Sequence, residues 1–321
     1  MRVMSEKERL LEMYKKMVTI RRFEEKVSDL FSKGFIPGFV HVCLGQEATA
    51  VGICSALRKD DYITSTHRGH GHCIAKGADV KYMMAELFGK ATGYCKGKGG
   101  SMHIADTDIG IMGANGIVGG GIPIAPGIAF AAREKGTDRV TVCFFGDGAS
   151  SQGSFHESLN ISAVWKLPVI YVCENNLYAN TVPLIKQMNV NDVATKSKAY
   201  DIPGVIVDGN NVLSVFKEAE EAVKRAREGN GPTLIECKTY RWHGHYEGDP
   251  ELYRSQDEVN QWKKKDPMVL FRSYLLKEID IANKILDEID NKVHKEIEDA
   301  VRFAKESPDT ELSEALTDVF A

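Results

Sequence analysis

Two apolar runs in the middle of the chain each end in residues that can hold a cation. The first, Val140–Phe145, runs into Gly146-Asp147-Gly148. The second, Val169–Cys173, runs into the amide pair Asn175-Asn176. A carboxylate and an amide oxygen make a hard, all-oxygen donor set, which suits magnesium or calcium and disfavours zinc or copper. Two protein oxygens leave most of an octahedral shell open. Magnesium usually fills such openings with water and substrate phosphates. Gly146 and Gly148 carry no side chains, so backbone amides there can meet phosphate oxygens directly. The chemistry is that of a clamp for a magnesium (Mg2+) diphosphate. Taken alone, Asp147 and Asn176 also fit a helix cap and a loop, where Asp and Asn are common.

Two histidine-rich motifs flank the pair: "HRGHGH" from His67 to His72 and "WHGHY" around His243 and His245. A zinc site is conceivable, but no cysteine or acidic ligand has the usual spacing. Arg68, beside glycine, suits a diphosphate better, because guanidinium is a fixed cation with forked donors. A residue in such a turn is expected to pack little. His245 follows a glycine at the end of a strand segment and can donate to phosphate or to a reacting oxygen. His41 fits either a site histidine or a satisfied core histidine.

The elements that must position these groups are legible in part. Residues 5–33 carry Leu10, Tyr14, Met17, Ile20, Phe23, Val27 and Leu30 at helical spacing. A loop ends near Gly45 and leads into a helix of small residues. "DYITSTHRGHGH" is a short strand running into a turn, and "VKYMMAELFGK" is a helix ended by Gly89. The stretch from Gly110 to Ala132 has no charge but holds seven glycines and two prolines. A membrane helix is more uniformly apolar, so this is buried backbone that approaches something closely. Strands at Val140–Phe145, Val169–Cys173, Val205–Val207 and "PTLIECKTYR" alternate with helices near Phe155–Trp165 and over Val212–Glu228. That order predicts an α/β fold, a mostly parallel sheet with helices on both faces. Ligands bind beyond the carboxyl ends of such strands, and a right-handed crossover brings Asp147 and Asn176 to one edge. Residues 260–321 read as a helical tail on a single domain spanning 1–321.

Composition removes other classes. The chain has 321 residues, a formal charge of −4 and 43% apolar residues. No long basic run points to nucleic acid. Seven scattered cysteines without a Cys-x-x-Cys pair read as reduced thiols of a cytoplasmic protein. The charged N-terminus lacks the apolar core of a signal peptide. No G-x-G-x-x-G follows a strand and no G-x-x-x-x-G-K-[ST] occurs, which argues against dinucleotides and P-loop nucleotides.

"GDGASS…CENN" resembles the thiamine-diphosphate motif. "HVCLGQEA", "HRGHG", "GKGGSMH", "GANGIVGGGIP", "GDGAS", "WKLP", "CENN" and "YRWHGH", in that order, resemble the alpha subunit of the decarboxylating component of 2-oxo acid dehydrogenase complexes. The resemblance implies the α/β thiamine-diphosphate-binding fold and an enzyme using thiamine diphosphate and Mg2+. It implies Asp147, Asn176 and the Tyr178 backbone carbonyl as metal ligands. It places His67, Arg68, Gly146, Gly148, Ala149 and His245 at the diphosphate, and backbone groups of Gly116 and Val118 at the aminopyrimidine ring. His41 and His245 would lie at the reacting carbon. The carboxylate that activates the cofactor belongs to a beta subunit in this family, so Glu47 is read as a first-turn helix residue. The resemblance also implies an alpha2beta2 heterotetramer, passing an acyl group to a lipoyl acyltransferase core.

Among possible substrates, "STHRGHGHCIAKG" and "GHYEGDPELYR" look most like acetoin dehydrogenase, then pyruvate dehydrogenase, then branched-chain 2-oxo acid enzymes. Tyr246 stands where animal pyruvate enzymes carry a regulatory serine, so phosphorylation there is not expected. That departure suits a bacterial or archaeal enzyme. A magnesium-dependent phosphotransferase and a non-catalytic assembly subunit are the rival classes.

Overall fold

A computed structural model of the protein describes residues 4–318. The extreme ends of the expected domain and tail lie outside those residues. In chain order the helices are α1 (Glu6–Ser32), α2 (Glu47–Ser55), α3 (His70–Lys76), α4 (Val80–Leu87), α5 (Gly121–Glu134), α6 (Gly153–Val164), α7 (Val212–Arg227), α8 (Gln256–Lys263), α9 (Pro267–Lys277) and α10 (Asn283–Glu306). The strands are β1 (Tyr62–Thr66), β2 (Ile111–Asn115), β3 (Thr141–Gly146), β4 (Val169–Asn175), β5 (Tyr178–Ala179), β6 (Val182–Pro183), β7 (Gly204–Asp208) and β8 (Thr233–Lys238).

Six strands form one sheet in the order β2-β1-β3-β4-β8-β7, with every neighbouring pair parallel. Successive β3 side chains leave on opposite faces. Val142 and Phe144 join a core with α1, α2 and α7, whereas Cys143 and Phe145 join one with α5 and α6. A strand covered on both sides must be apolar throughout, which is why β3 and β4 read as continuous runs. Local signals fix several helix ends. Ser5 and Glu8 form a capping box on α1, and the Asn211 side chain caps α7 by accepting from Leu213 and Ser214. α10 packs against α1 and α4. Among the described residues, no helix is long and apolar enough to cross a membrane.

The structure differs from the sequence expectation in three places. The uncharged Gly110–Ala132 stretch contains β2 and most of α5. Pro126 lies inside α5 and removes a helix hydrogen bond, but Ile122, Ala125, Ala129 and Ala132 are buried around it. Packing against the sheet overrides poor helix propensity there. The supposed turn after β1 becomes α3, which begins at His70. The last strand ends at Lys238, so His245 lies on an irregular segment seven positions later rather than at a strand end.

Candidate active site

A cavity of about 340 Å³ opens at the carboxyl ends of β1, β3 and β4. Ser65 and Thr66 close β1, and His67 and Arg68 come directly after it. Asp147, Gly148 and Ala149 continue from Gly146 at the end of β3, and Glu174 and Asn176 lie at the end of β4. Tyr178, Arg241 and His245 complete the wall nearest these residues. In-register pairing of β3 and β4 puts Gly146 opposite Glu174, so the two strand ends emerge side by side.

One side of the cavity suits a cation. Asp147 is buried, and burial pushes its carboxyl up to about 6. The Gln187 side chain donates to Oδ2 at 3.2 Å and, with the backbone amides of Asp147 and Asn176, partly favours the ionised form. Asn176 donates from Nδ2 to Gln46 Oε1 at 3.1 Å, while its Oδ1 is buried without a partner among the described residues. An orphaned amide oxygen beside a desolvated carboxylate is a site that gains from a hard cation. The Tyr178 hydroxyl donates to Glu258 at 3.0 Å, so only the backbone of Tyr178 is free to serve the cavity. A Cβ on Gly148 would meet the Ala179 Cβ at 2.5 Å, so glycine is needed for the β5–β6 hairpin to cross here. A Cβ on Gly146 would meet nothing within 4 Å.

The other side suits an anion. Arg68 is 4% exposed and donates to the Val42 carbonyl at 2.5 Å and the His245 carbonyl at 2.8 Å. The expectation that Arg68 packs little is therefore overturned, because it ties three chain segments together. Arg241 is buried too, donating to Asn180 O at 3.0 Å and Tyr253 Oη at 2.7 Å. Among the described residues neither guanidinium has a carboxylate within ion-pair distance. Burial and the neighbouring Arg241 bring Arg68 down to about 9, and burial lowers Arg241. Two buried cations without counter-charges gain from a polyanion.

His41, His67 and His245 gather at this end, with ring centroids 4.8 to 5.3 Å apart. Burial and Arg68 hold all three neutral, at about 3, about 2 and about 4 respectively. Arg241 Nη1 donates to His245 Nδ1 at 3.3 Å, which puts the neutral ring's proton on Nε2. The three rings offer nitrogens within 4.8 Å of one another. The adjacent guanidiniums weigh against a metal ion there and in favour of an anion. The other histidines of the two motifs serve elsewhere. His70 bonds Glu24 and Ser101, His72 bonds Ser65 and Glu174, and His243 bonds Glu247.

Val118 lines the cavity and is half-exposed, whereas Gly116 does not line it and lies against His103. Ala149 is buried in the short turn after Asp147. Glu47 opens α2, is fully buried and accepts from Arg21 Nε at 2.6 Å, and it does not line the cavity. Gln46, Gln187 and Arg241 do not stand out in the sequence as site residues. Gln46 lies inside "GQEA" and Arg241 inside "YRWHGH", so the motifs contain them, but side-chain type does not reveal their partners.

The Dehydrogenase E1 component family model matches residues 15–313, and the chain belongs to that family. Membership carries dependence on thiamine diphosphate and oxidoreductase chemistry. The chain is 56% identical over 314 residues to the alpha subunit of acetoin:2,6-dichlorophenolindophenol oxidoreductase of Bacillus subtilis (strain 168), covering 98% of this chain and 94% of that one. It is 49% identical over 316 residues to the same subunit of Cupriavidus necator, covering 98% and 95%. It is 41% identical over 314 residues to the pyruvate dehydrogenase E1 component subunit alpha of Rhizobium meliloti, covering 98% and 90%.

Proposed function

We propose that this chain is the alpha subunit of an acetoin-cleaving dehydrogenase, folded as a single domain. When bound, thiamine diphosphate supplies a carbanion and an electron sink for carbon–carbon bond cleavage. Asp147, Asn176 Oδ1 and the Tyr178 carbonyl hold Mg2+. Gly146, Gly148 and Ala149 let backbone approach the diphosphate, and Arg68, Arg241, His67 and His245 neutralise or hydrogen-bond it. Val118, on the cavity wall, presents backbone to the aminopyrimidine. His41 and His245, both neutral, are the groups that give a proton to or take one from the reacting oxygen. The observation that carries the clamp is the orphaned Asn176 Oδ1 beside buried Asp147.

A beta subunit supplies the carboxylate that activates the cofactor, in an alpha2beta2 assembly that passes its acyl group to a lipoyl acyltransferase. Acetoin is favoured by the 56% identity to a subunit named for it. Pyruvate is the second reading, favoured by the 41% relative, and branched-chain 2-oxo acids come third. The test is turnover of acetoin, pyruvate and 3-methyl-2-oxobutanoate with an artificial electron acceptor, with and without the beta subunit. Acetoin should be turned over fastest, and only in the assembly. Turnover by this chain alone, lost on Glu47→Gln, would make Glu47 the activator and overturn the shared site.

A further inference from the structure

Asn176 and Gln46 meet amide to amide, and each leaves its other end empty. Asn176 Nδ2 donates to Gln46 Oε1 at 3.1 Å. Asn176 Oδ1 and Gln46 Nε2 are both buried and, among the described residues, without a partner. Gln46 is almost fully buried at the start of α2. Its backbone N–H donates to Cys43 O at 2.9 Å. The neighbouring Glu47 is fixed by Arg21 at 2.6 Å and by the Gly45 amide at 3.2 Å. The main chain around Gln46 is therefore held on both sides, and the side chain reaches Asn176 from a fixed base.

A primary amide has one accepting end and one donating end. When Asn176 gives its NH2 group to Gln46, it must turn its oxygen the other way. Turned over, Asn176 would set its oxygen against Gln46 Oε1, two acceptors with no proton between them. Both amides could turn together, but then Asn176 would present hydrogens where a cation needs an oxygen. We infer that Gln46 is a positioning residue, which pairs with the Asn176 NH2 group and so holds the amide with its oxygen turned to the metal. This rests on the magnesium assignment proposed above. Gln46 acts through Asn176, as hydrogen-bond partners outside a coordination shell commonly do, and losing such a partner typically costs about 10–100-fold in metal affinity.

The test separates acceptor chemistry from packing. Gln46→Met keeps the length and removes the acceptor. Gln46→Glu keeps an acceptor at the same reach and removes the unpaired donor. The chain is purified with its beta subunit and saturated with thiamine diphosphate. It is titrated with Mn2+, and free Mn2+ is measured by electron paramagnetic resonance. Metal-free melting temperatures are recorded alongside. Gln46→Met should weaken Mn2+ roughly 10–100-fold, and Gln46→Glu should stay within about threefold of the unaltered protein. Unchanged Mn2+ affinity in Gln46→Met would overturn the assignment, whatever its melting temperature. So would a loss of more than about tenfold in Gln46→Glu. That second outcome decides the matter even if Gln46→Met does not fold. Failure of the unaltered assembly to bind Mn2+ would instead overturn the magnesium assignment itself.

Discussion

Gln187 donates from Nε2 to Asp147 Oδ2 at 3.2 Å and helps hold that carboxylate in its charged form. That help is outweighed by burial, which leaves the carboxyl at about 6. A carboxylate kept partly neutral by its surroundings is stabilised by whatever cation arrives. The energetic logic of the site is a charge placed before its partner.

Asp147→Asn should therefore separate binding from folding. Metal-dependent cofactor affinity should fall at least about a hundredfold, since a metal-bound charge is worth several kcal/mol. The metal-free protein should become more stable at neutral pH. The folded carboxyl is raised from 3.8 to about 6. Its stabilising contribution is full below the unfolded value and is lost as pH rises through about 6. Asparagine mimics the neutral form, so the gain is at most on the order of 3 kcal/mol. Calorimetric titration and differential scanning measure the two effects. Normal cofactor affinity in a folded Asp147→Asn protein would sink the clamp.

The same shift sets a pH dependence for the metal. Protons and cation compete for one carboxylate, so apparent metal affinity should be flat above about 6 and fall about tenfold per pH unit below it. Mn2+ titrations across that range read the slope directly. A flat profile down to about 4, the ordinary carboxyl range, would show that Asp147 is not a ligand.

The histidines work in the opposite direction. His41, His67 and His245 sit below their usual value, at about 3, about 2 and about 4. A depressed histidine contributes stability above its unfolded value of 6.5, and that stability is lost as pH falls toward the folded value. His67→Asn should flatten the acid limb of stability in the cofactor-free protein by close to one proton, about 1.4 kcal/mol per pH unit. Asp147 is common to both proteins and cancels in the comparison. Urea unfolding at several pH values gives the slopes, and identical slopes would place His67 outside the buried cluster.

Arg68→Met should cost both stability and cofactor affinity. Two carbonyls, Val42 O and His245 O, lose a donor, at about 1–3 kcal/mol for each buried group left unpaired. Relief of repulsion from Arg241 offsets part of this. The specific readout is the preference for thiamine diphosphate over thiamine. That preference should collapse in Arg68→Met, whereas an arginine serving only the fold would leave it unchanged.

β3 and β4 are legible in the sequence because strands buried on both faces must be apolar throughout. The residues closing them, Asp147 and Asn176, emerge from strand-end geometry. β2 and α5 are hidden because glycine and proline lower propensity, and only the fit of Ile122, Ala125 and Ala129 to the sheet makes a helix there. His70 and His72 share a motif with His67 but turn inward on α3, and spacing alone cannot separate those directions. Arg241 and Gln46 are invisible as site residues because their roles depend on partners far away in sequence, His245 Nδ1 aside. Arg68 defies its sequence setting because a neighbouring glycine says nothing about what folds over it.

The most direct measurement is a calorimetric titration of thiamine diphosphate into the chain assembled with its beta subunit, run once with Mg2+ and once with a chelator, beside a nucleotide control. The account predicts saturable binding with Mg2+, loss of binding with the chelator and no response to nucleotide. Equal binding in the chelator, or nucleotide binding in place of thiamine diphosphate, would contradict it.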